Sequence, residues 1–212
     1  LQFEVNENTL IPRPETEELV EWIIESQKSK VKSQKFEILD IGTGTGCIPI
    51  SLKANLPHVN VSAIDVSEKA LEVARRNAVS NKVEINFIQT NILEVEDLSQ
   101  LQTPNFQLPT SFDIIVSNPP YVRNLEKQEI KKNVLDYEPH LALFVEDTDA
   151  LLFYRKIAQL ALKNLAPNGL LFFEINQYLG KETVELLENL GFKNIELKKD
   201  IYGNDRMVKS SR

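Results

Sequence analysis

The 212 residues carry 24 Lys and Arg against 31 Asp and Glu, a formal net charge of −7, with 42% hydrophobic and 26% charged side chains. That is the composition of an ordinary soluble domain, and it disfavours a protein that works mainly by gripping phosphate backbones, which needs clustered Lys and Arg. A single cysteine, Cys47, excludes an internal disulfide framework, and two histidines, His58 and His140, have no ligand-like spacing, so no metal is expected.

No apolar run approaches the roughly 20 residues that span a bilayer, and no charged-then-apolar leader opens the chain, so a cytoplasmic location is expected. Residues 1–11 alternate in apolar character through Leu1, Phe3 and Val5 before an Asn-Glu-Asn break, which predicts a short hairpin. A helix follows from Pro14, pre-organised for a first helical residue, with Glu15, Glu17 and Glu18 complementing the helix dipole. Leu19, Val20, Ile23 and Ile24 give it an apolar face with Trp22 at the margin. Residues 28–35, KSKVKSQK, read as a polar linker.

Strands are predicted over 36–41, 59–65, 84–89, 112–117 and 170–175, and helices over 47–55, 67–80, 149–165 and 181–190. Nearly continuous apolar strands alternating with helices predict an α/β fold, a parallel sheet covered on both faces. Residues 194–201 and 206–211, joined at Gly203-Asn204, predict a terminal hairpin and an antiparallel final strand. Residues 99–111 read as a loop and 122–148 as a longer irregular insertion of functional length. The expected organisation is a hairpin and helix over 1–30 leading into a catalytic domain over 31–212. Because the chain opens on Leu1, residues upstream of it are expected.

LDIGTGTGCIPI places Gly42, Gly44 and Gly46 between a strand and a helix, where glycine permits positive φ and close approach of a ligand. Asp65 ends the next strand, 19 residues after Gly46, where a carboxylate can accept from both ribose hydroxyls of a nucleoside. The spacing is G-x-G-x-G rather than G-x-G-x-x-G, Pro49 occupies the first helical turn, and no Lys-Ser or Lys-Thr follows the glycines. A dinucleotide site and a P-loop are therefore disfavoured against S-adenosylmethionine (SAM), which carries no phosphate. Asp40 is a candidate for the cofactor's ammonium or for a turn cap, and Asn91 and Ile92 for its adenine or for a turn and the core.

SNPPYV (117–122) ends a buried strand with two residues that lack backbone N–H donors. Fixed acceptors suit a planar amide or amino nitrogen, whose delocalised lone pair makes it a poor nucleophile. The Asn118 side-chain carbonyl and the Pro119 backbone carbonyl can each take one N–H, turning the lone pair toward a sulfonium methyl, while Tyr121 offers a ring face. Neither a strong base nor a metal is needed. The plain alternative is a turn initiator followed by a stiff loop.

LIPRPETEELVEW (10–22), ILDIGTGTGCIPISL (38–52), DVSEKALEVARRNA (65–78), FDIIVSNPPYV (112–122), YEPHLAL (137–143) and GNDRMV (203–208) together resemble the HemK/PrmC family. These SAM-dependent enzymes methylate the glutamine amide in the Gly-Gly-Gln loop of bacterial peptide chain release factors. The resemblance implies a Rossmann-like seven-stranded, mostly parallel sheet with a reversed last strand and helices on both faces. It implies SAM contacts at Gly42, Thr43, Gly44, Thr45, Gly46, Asp65, Asn91, Ile92 and Asn118, with S-adenosylhomocysteine as product. It implies glutamine binding by Asn118, Pro119, Pro120 and Tyr121, with Asn118, Pro119 and Tyr121 as the catalytic set. The implied partner is a release factor, met by a monomer with no direct nucleic-acid or membrane binding. The family's small helical N-terminal domain is expected upstream of Leu1, and Asn91 stands where related methyltransferases often have Asp.

Three rivals stay open at this level. One is a glutamine methyltransferase acting on a ribosomal protein. Another is a DNA or RNA adenine N-methyltransferase, which predicts a basic groove near NPPY. The last is a SAM-binding regulatory or RNA-scaffold module, which would not need an intact acceptor clamp.

Overall fold

The computed structural model describes residues 1–27, 36–104, 106–130 and 132–212. The linker expected over 28–35 lies outside the described residues. Seven strands build the main sheet: β1 (Phe36–Ile41), β2 (Val59–Asp65), β3 (Asn86–Gln89), β4 (Phe112–Ser117), β5 (Leu165–Glu174), β6 (Lys193–Lys199) and β7 (Asp205–Ser211). Their order is β6-β7-β5-β4-β1-β2-β3. β1 pairs in parallel with β2 and β4, and β4 with β5. β7 runs antiparallel to both neighbours, with Met207 opposite Glu174 on one side and Val208 opposite Leu197 on the other. The reversed strand thus sits inside the sheet, between β5 and β6.

The central strands β1, β2 and β4 are largely apolar on both sides because both faces are covered. One face buries Leu39, Ile41, Ile115 and Phe173 against α4 (Leu152–Asn164) and α5 (Gly180–Leu190), through Tyr154, Ile157, Ala161 and Leu187. The other buries Ile38, Ile114, Val116, Phe172 and Met207 against α1 (Pro14–Gln27) and α2 (Cys47–Asn55). Phe172 and Phe173 go to opposite faces, as strand alternation requires. α3 (Glu68–Ser80) follows β2, with the Ser67 side chain accepting from Ala70 N at its start.

The N-terminal hairpin does not form. Among the described residues, 1–13 contain no strand, and Asn6 to Thr9 make a turn in which Asn8 N donates to Asn6 Oδ1 at 2.9 Å. The backbone finds its partners elsewhere. Asn77 Oδ1 accepts from Glu4 N (2.7 Å) and its Nδ2 donates to Glu4 O (3.0 Å). One helical turn on, Asn81 does the same for Gln2, at 3.1 and 2.7 Å. Two amide side chains on α3 replace the partner strand.

Boundaries differ elsewhere too. β5 begins at Leu165, where the sequence predicts helix, and α4 begins at Leu152 after a short 3₁₀ turn over Asp147–Asp149. The loop at 99–111 holds a tiny antiparallel pair, Gln102–Thr103 with Phe106–Gln107. The 122–148 insertion is pinched at its base, where Val122–Arg123 pairs in parallel with Phe144–Val145.

Candidate active site

The glycine loop leaves β1 and turns back over the end of β2. Gly42 N and Thr43 N both donate to Ile64 O, at 2.8 and 3.0 Å, and Gly46 N closes the turn onto Thr43 O. Gly42, Gly44 and Gly46 all have positive φ (78°, 54° and 79°), a region disfavoured for residues with a Cβ. At Gly46 a Cβ would also press on Ile50 and Ala74, at 3.0 and 3.1 Å, so that glycine allows α2 and α3 to close together. At Gly42 and Gly44 a Cβ would meet nothing within 4 Å, which leaves their backbone open to a ligand.

Asp65 stands at the tip of β2. Its Oδ2 accepts from Gly44 N at 2.8 Å and its Oδ1 from Ser67 N at 2.9 Å. Burial raises its carboxyl above the ordinary aspartate value, and these backbone donors oppose the rise. A carboxylate offers about four acceptor positions, so two engaged donors leave room for ribose hydroxyls.

A cavity of about 330 Å³ lies in front of these strand ends, within the range of small-ligand pockets. Its floor is the glycine loop with Asp65, and one end is formed by Thr90 to Leu93. The other end is formed by Ser117, Asn118, Pro119 and Pro120. Its outer wall comes from two segments distant in sequence, residues 8–13 and residues 139–142. Arg13 and Glu138 hold those segments together: Nη2 donates to Oε1 at 2.5 Å, and Ile11 N donates to the other carboxylate oxygen at 3.4 Å.

Most of the residues singled out in the sequence meet here: Gly42, Thr43, Gly44, Thr45, Asp65, Asn91, Ile92, Asn118, Pro119 and Pro120 all line the cavity. Gly46 supports the loop from beneath. Asn91 is engaged in its own turn, with Oδ1 accepting from Leu93 N at 3.1 Å and Nδ2 donating to Glu94 at 2.8 Å.

Asp40 and Tyr121 are not among the residues lining the cavity. Asp40 shares the strand face of Ile38, beneath the glycine loop, fully buried with neither carboxylate oxygen hydrogen-bonded. Burial chiefly pushes its carboxyl up to about 7, with Thr43 opposing and Asp65 adding to the rise. The buried Thr43 hydroxyl beside it also lacks a partner. An unpaired buried carboxylate under a loop whose upper side is open fits a ligand that brings positive charge nearby. Tyr121 turns its ring onto the α4 side of the core and donates its phenol to Glu174 Oε1 at 3.3 Å.

Asn118 follows β4, whose last residue, Ser117, ties the strand to β1 by donating to Ile41 O at 2.6 Å. The Asn118 Nδ2 donates to Thr16 Oγ1 at 3.5 Å, and Thr16 Oγ1 donates to Glu174 Oε2 at 2.7 Å. Thr16, Glu174, Arg13 and Glu138 carry no chemical role in the sequence reading. The only signal of the last two lies in the IPRPETE and YEPHLAL segments. Cys47 also lines the cavity, and burial pushes its thiol up to about 12, which disfavours the thiolate. Among the described residues no cluster of three or more His, Cys, Asp or Glu could hold a metal ion, and no helix is long and apolar enough to cross a membrane.

Comparison with known proteins places this arrangement. Residues 23–140 match the model of the methyltransferase small domain. The chain is 68% identical to the release factor glutamine methyltransferase of Flavobacterium psychrophilum over 99% of its own length and 70% of that protein's. It is 44% identical to that of Bacteroides thetaiotaomicron, again over 99% of this chain and 70% of the other. Among solved structures, a methyltransferase from Pyrococcus furiosus matches 99% of this chain and 87% of its own at TM-score 0.63 and 19% identity. The N-terminal domain of human METTL16 in complex with SAH matches 100% of this chain and 75% of its own at TM-score 0.64, also at 19% identity. These distant likenesses concern the fold. A methyltransferase sheet, a glycine-and-aspartate cradle facing an Asn-Pro-Pro edge, and close relatives along almost the whole chain lead to one conclusion: the chain belongs to the release factor glutamine methyltransferase family.

Proposed function

We propose that this protein transfers a methyl group from SAM to the side-chain amide nitrogen of the glutamine in the Gly-Gly-Gln motif of peptide chain release factors, leaving S-adenosylhomocysteine. The observation that carries the reading is one cavity with a nucleoside-type cradle at Gly42–Gly44 and Asp65 and the Asn118–Pro119 acceptors at its edge. SAM supplies a methyl already activated by a positively charged sulfur. Asp65 holds the ribose, Ile92 gives the base an apolar contact, and the open backbone at Gly42 and Gly44 admits the rest of the donor.

The Asn118 side-chain oxygen and the Pro119 carbonyl accept the two N–H groups of the incoming amide. Held in this way, the nitrogen directs its lone pair along the line of methyl transfer. Its extra proton leaves to solvent after the bond has formed. Orientation supplies most of the acceleration, up to roughly 7–11 kcal/mol for well-placed reactants. Such a reaction belongs in the cytoplasm, where release factors meet ribosomes.

The test is incubation of purified protein and SAM with a release factor, a ribosomal protein preparation and DNA in parallel, with mass spectrometry of the Gly-Gly-Gln peptide. One added methyl on that glutamine is expected. Methyl transfer only into the ribosomal protein or only into adenine would replace this reading by the corresponding rival. The net charge of −7 favours the protein substrate over nucleic acid.

A further inference from the structure

Glu174 is the last residue of β5, on the sheet face covered by α1, and is 1% exposed. Buried carboxylates are costly unless their lone pairs are matched. Here Oε2 accepts from Thr16 at 2.7 Å and Oε1 accepts from Tyr121 at 3.3 Å. Burial raises the carboxyl above the ordinary glutamate value, and the Thr16 hydrogen bond and the positive charge of Arg206 oppose the rise. Arg206 is itself fixed by Asp200 Oδ2 and Ile175 O.

The chain of donors then has one direction. Both Glu174 oxygens accept, so the hydroxyl of Thr16 spends its single proton on Oε2. The Thr16 oxygen is left with lone pairs alone, and whatever approaches it must donate. Asn118 approaches, and only the NH₂ end of its amide can donate. Its Oδ1, which accepts no hydrogen bond from the described residues, is thereby the end left for a ligand. The reverse orientation would set oxygen against oxygen at Thr16 and present an NH₂ group to the NH₂ group of a substrate amide.

We propose that Glu174 and Thr16 are positioning residues that decide which end of the Asn118 amide faces the methyl acceptor. Neither needs to touch the reacting atoms. This rests on the glutamine-methylation reading above, because an acceptor at Asn118 matters only if the substrate nitrogen carries N–H groups. Glu174→Gln keeps shape and volume but can donate to Thr16, which frees the Thr16 proton and lets the Asn118 amide lie either way. Thr16→Val keeps shape and removes the hydroxyl altogether.

The experiment is steady-state methylation of a release factor, with the Kd for S-adenosylhomocysteine measured separately and folding checked by thermal unfolding. Glu174→Gln and Thr16→Val are each expected to lower kcat by about 10- to 100-fold, the scale of a misplaced hydrogen-bonding group. Nucleoside affinity should stay within about threefold of wild type, a small free-energy change on the usual scale of RT. Thr16→Ser should restore most of the turnover lost in Thr16→Val, and the double variant should be no slower than Thr16→Val alone, since both act through one contact. If Glu174→Gln fails to fold, the Val and Ser pair at Thr16 carries the test. Undiminished turnover in folded Thr16→Val overturns the relay, as does an equal loss in turnover and nucleoside affinity, which marks general damage to the cavity. Absence of methylation by the wild-type protein removes the substrate reading and the relay with it, whereas wild-type methylation beside an unimpaired Thr16→Val removes the relay alone.

Discussion

Arg13 and Glu138 lie 125 residues apart and meet at 2.5 Å, with the Glu138 side chain 3% exposed. Their ion pair joins the two segments that wall the cavity. Glu138 also accepts from Ile11 N, so its loss would release a side chain and a backbone at once. Charged hydrogen bonds of this kind contribute about 1.5–3 kcal/mol, less here because Arg13 is part-exposed. Glu138→Ala should lower Tm by several degrees, at roughly 2–4 °C per kcal/mol for a chain of this size, and weaken nucleoside binding several-fold. Differential scanning fluorimetry with and without S-adenosylhomocysteine measures both, and unchanged affinity would detach the ion pair from the site.

Asn118 and Asp65 should fail differently. On the reading proposed above, Asn118→Ala removes the acceptor for the reacting nitrogen, and turnover should drop by about 100-fold or more while the nucleoside still binds. Asp65→Ala removes the partner of Gly44 N and, on the same reading, the ribose acceptor, so nucleoside Kd should rise about 10- to 100-fold, the size of a lost charged hydrogen bond. Isothermal titration beside initial rates separates the two, and a matched loss in both variants would contradict the division of labour.

Asp40 makes the unliganded protein sensitive to pH. Its carboxyl is raised by burial from 3.8 to about 7. Between those values the folded protein holds a proton that the unfolded chain has given up. Stability from this group is therefore fully present at the acid end, falls as pH rises toward about 7, and levels beyond it. Asp65 and Glu174, also raised by burial, tilt stability in the same direction. Asp40→Asn should make the decline shallower without flattening it. Urea unfolding at several pH values reads the slopes, and identical slopes in variant and wild type would show that Asp40 does not titrate there.

Asn77 is buried and bonds three backbone groups: the N–H and C=O of Glu4 and the C=O of Thr45. Asn77→Asp keeps the acceptor for Glu4 N but strips the donor from two carbonyls. A cost of about 1–3 kcal/mol follows for each buried group left unmatched. Hydrogen exchange should quicken at Gln2 and Glu4, and no change there would mean that the segment is held by other contacts.

The strands were readable because apolar runs such as FDIIV need both faces covered, and β1, β2 and β4 end where the sequence predicts. Residues 1–5 misled because alternation signals a strand-like backbone without naming its partner, which turned out to be Asn77 and Asn81. The cavity floor was legible from glycine spacing and from Asp65. Asp40 lies beneath the glycine loop rather than on the cavity wall, because parity with Ile38 points it away from the neighbouring Ile41, which lines the cavity. Thr16 and Glu174 were invisible because their bond spans 158 residues, and nothing local in either segment announces it.

That span bears on how the molecule is made. α1 leaves the ribosome long before β5 and β7, yet its apolar face rests partly on Phe172 and Met207. At about 5–20 residues per second, some ten seconds or more of translation separate α1 from the strands that complete its seat. Until then part of the apolar face of α1 is a natural target for chaperones, and the bond from Thr16 to Glu174 forms only when β5 joins the sheet.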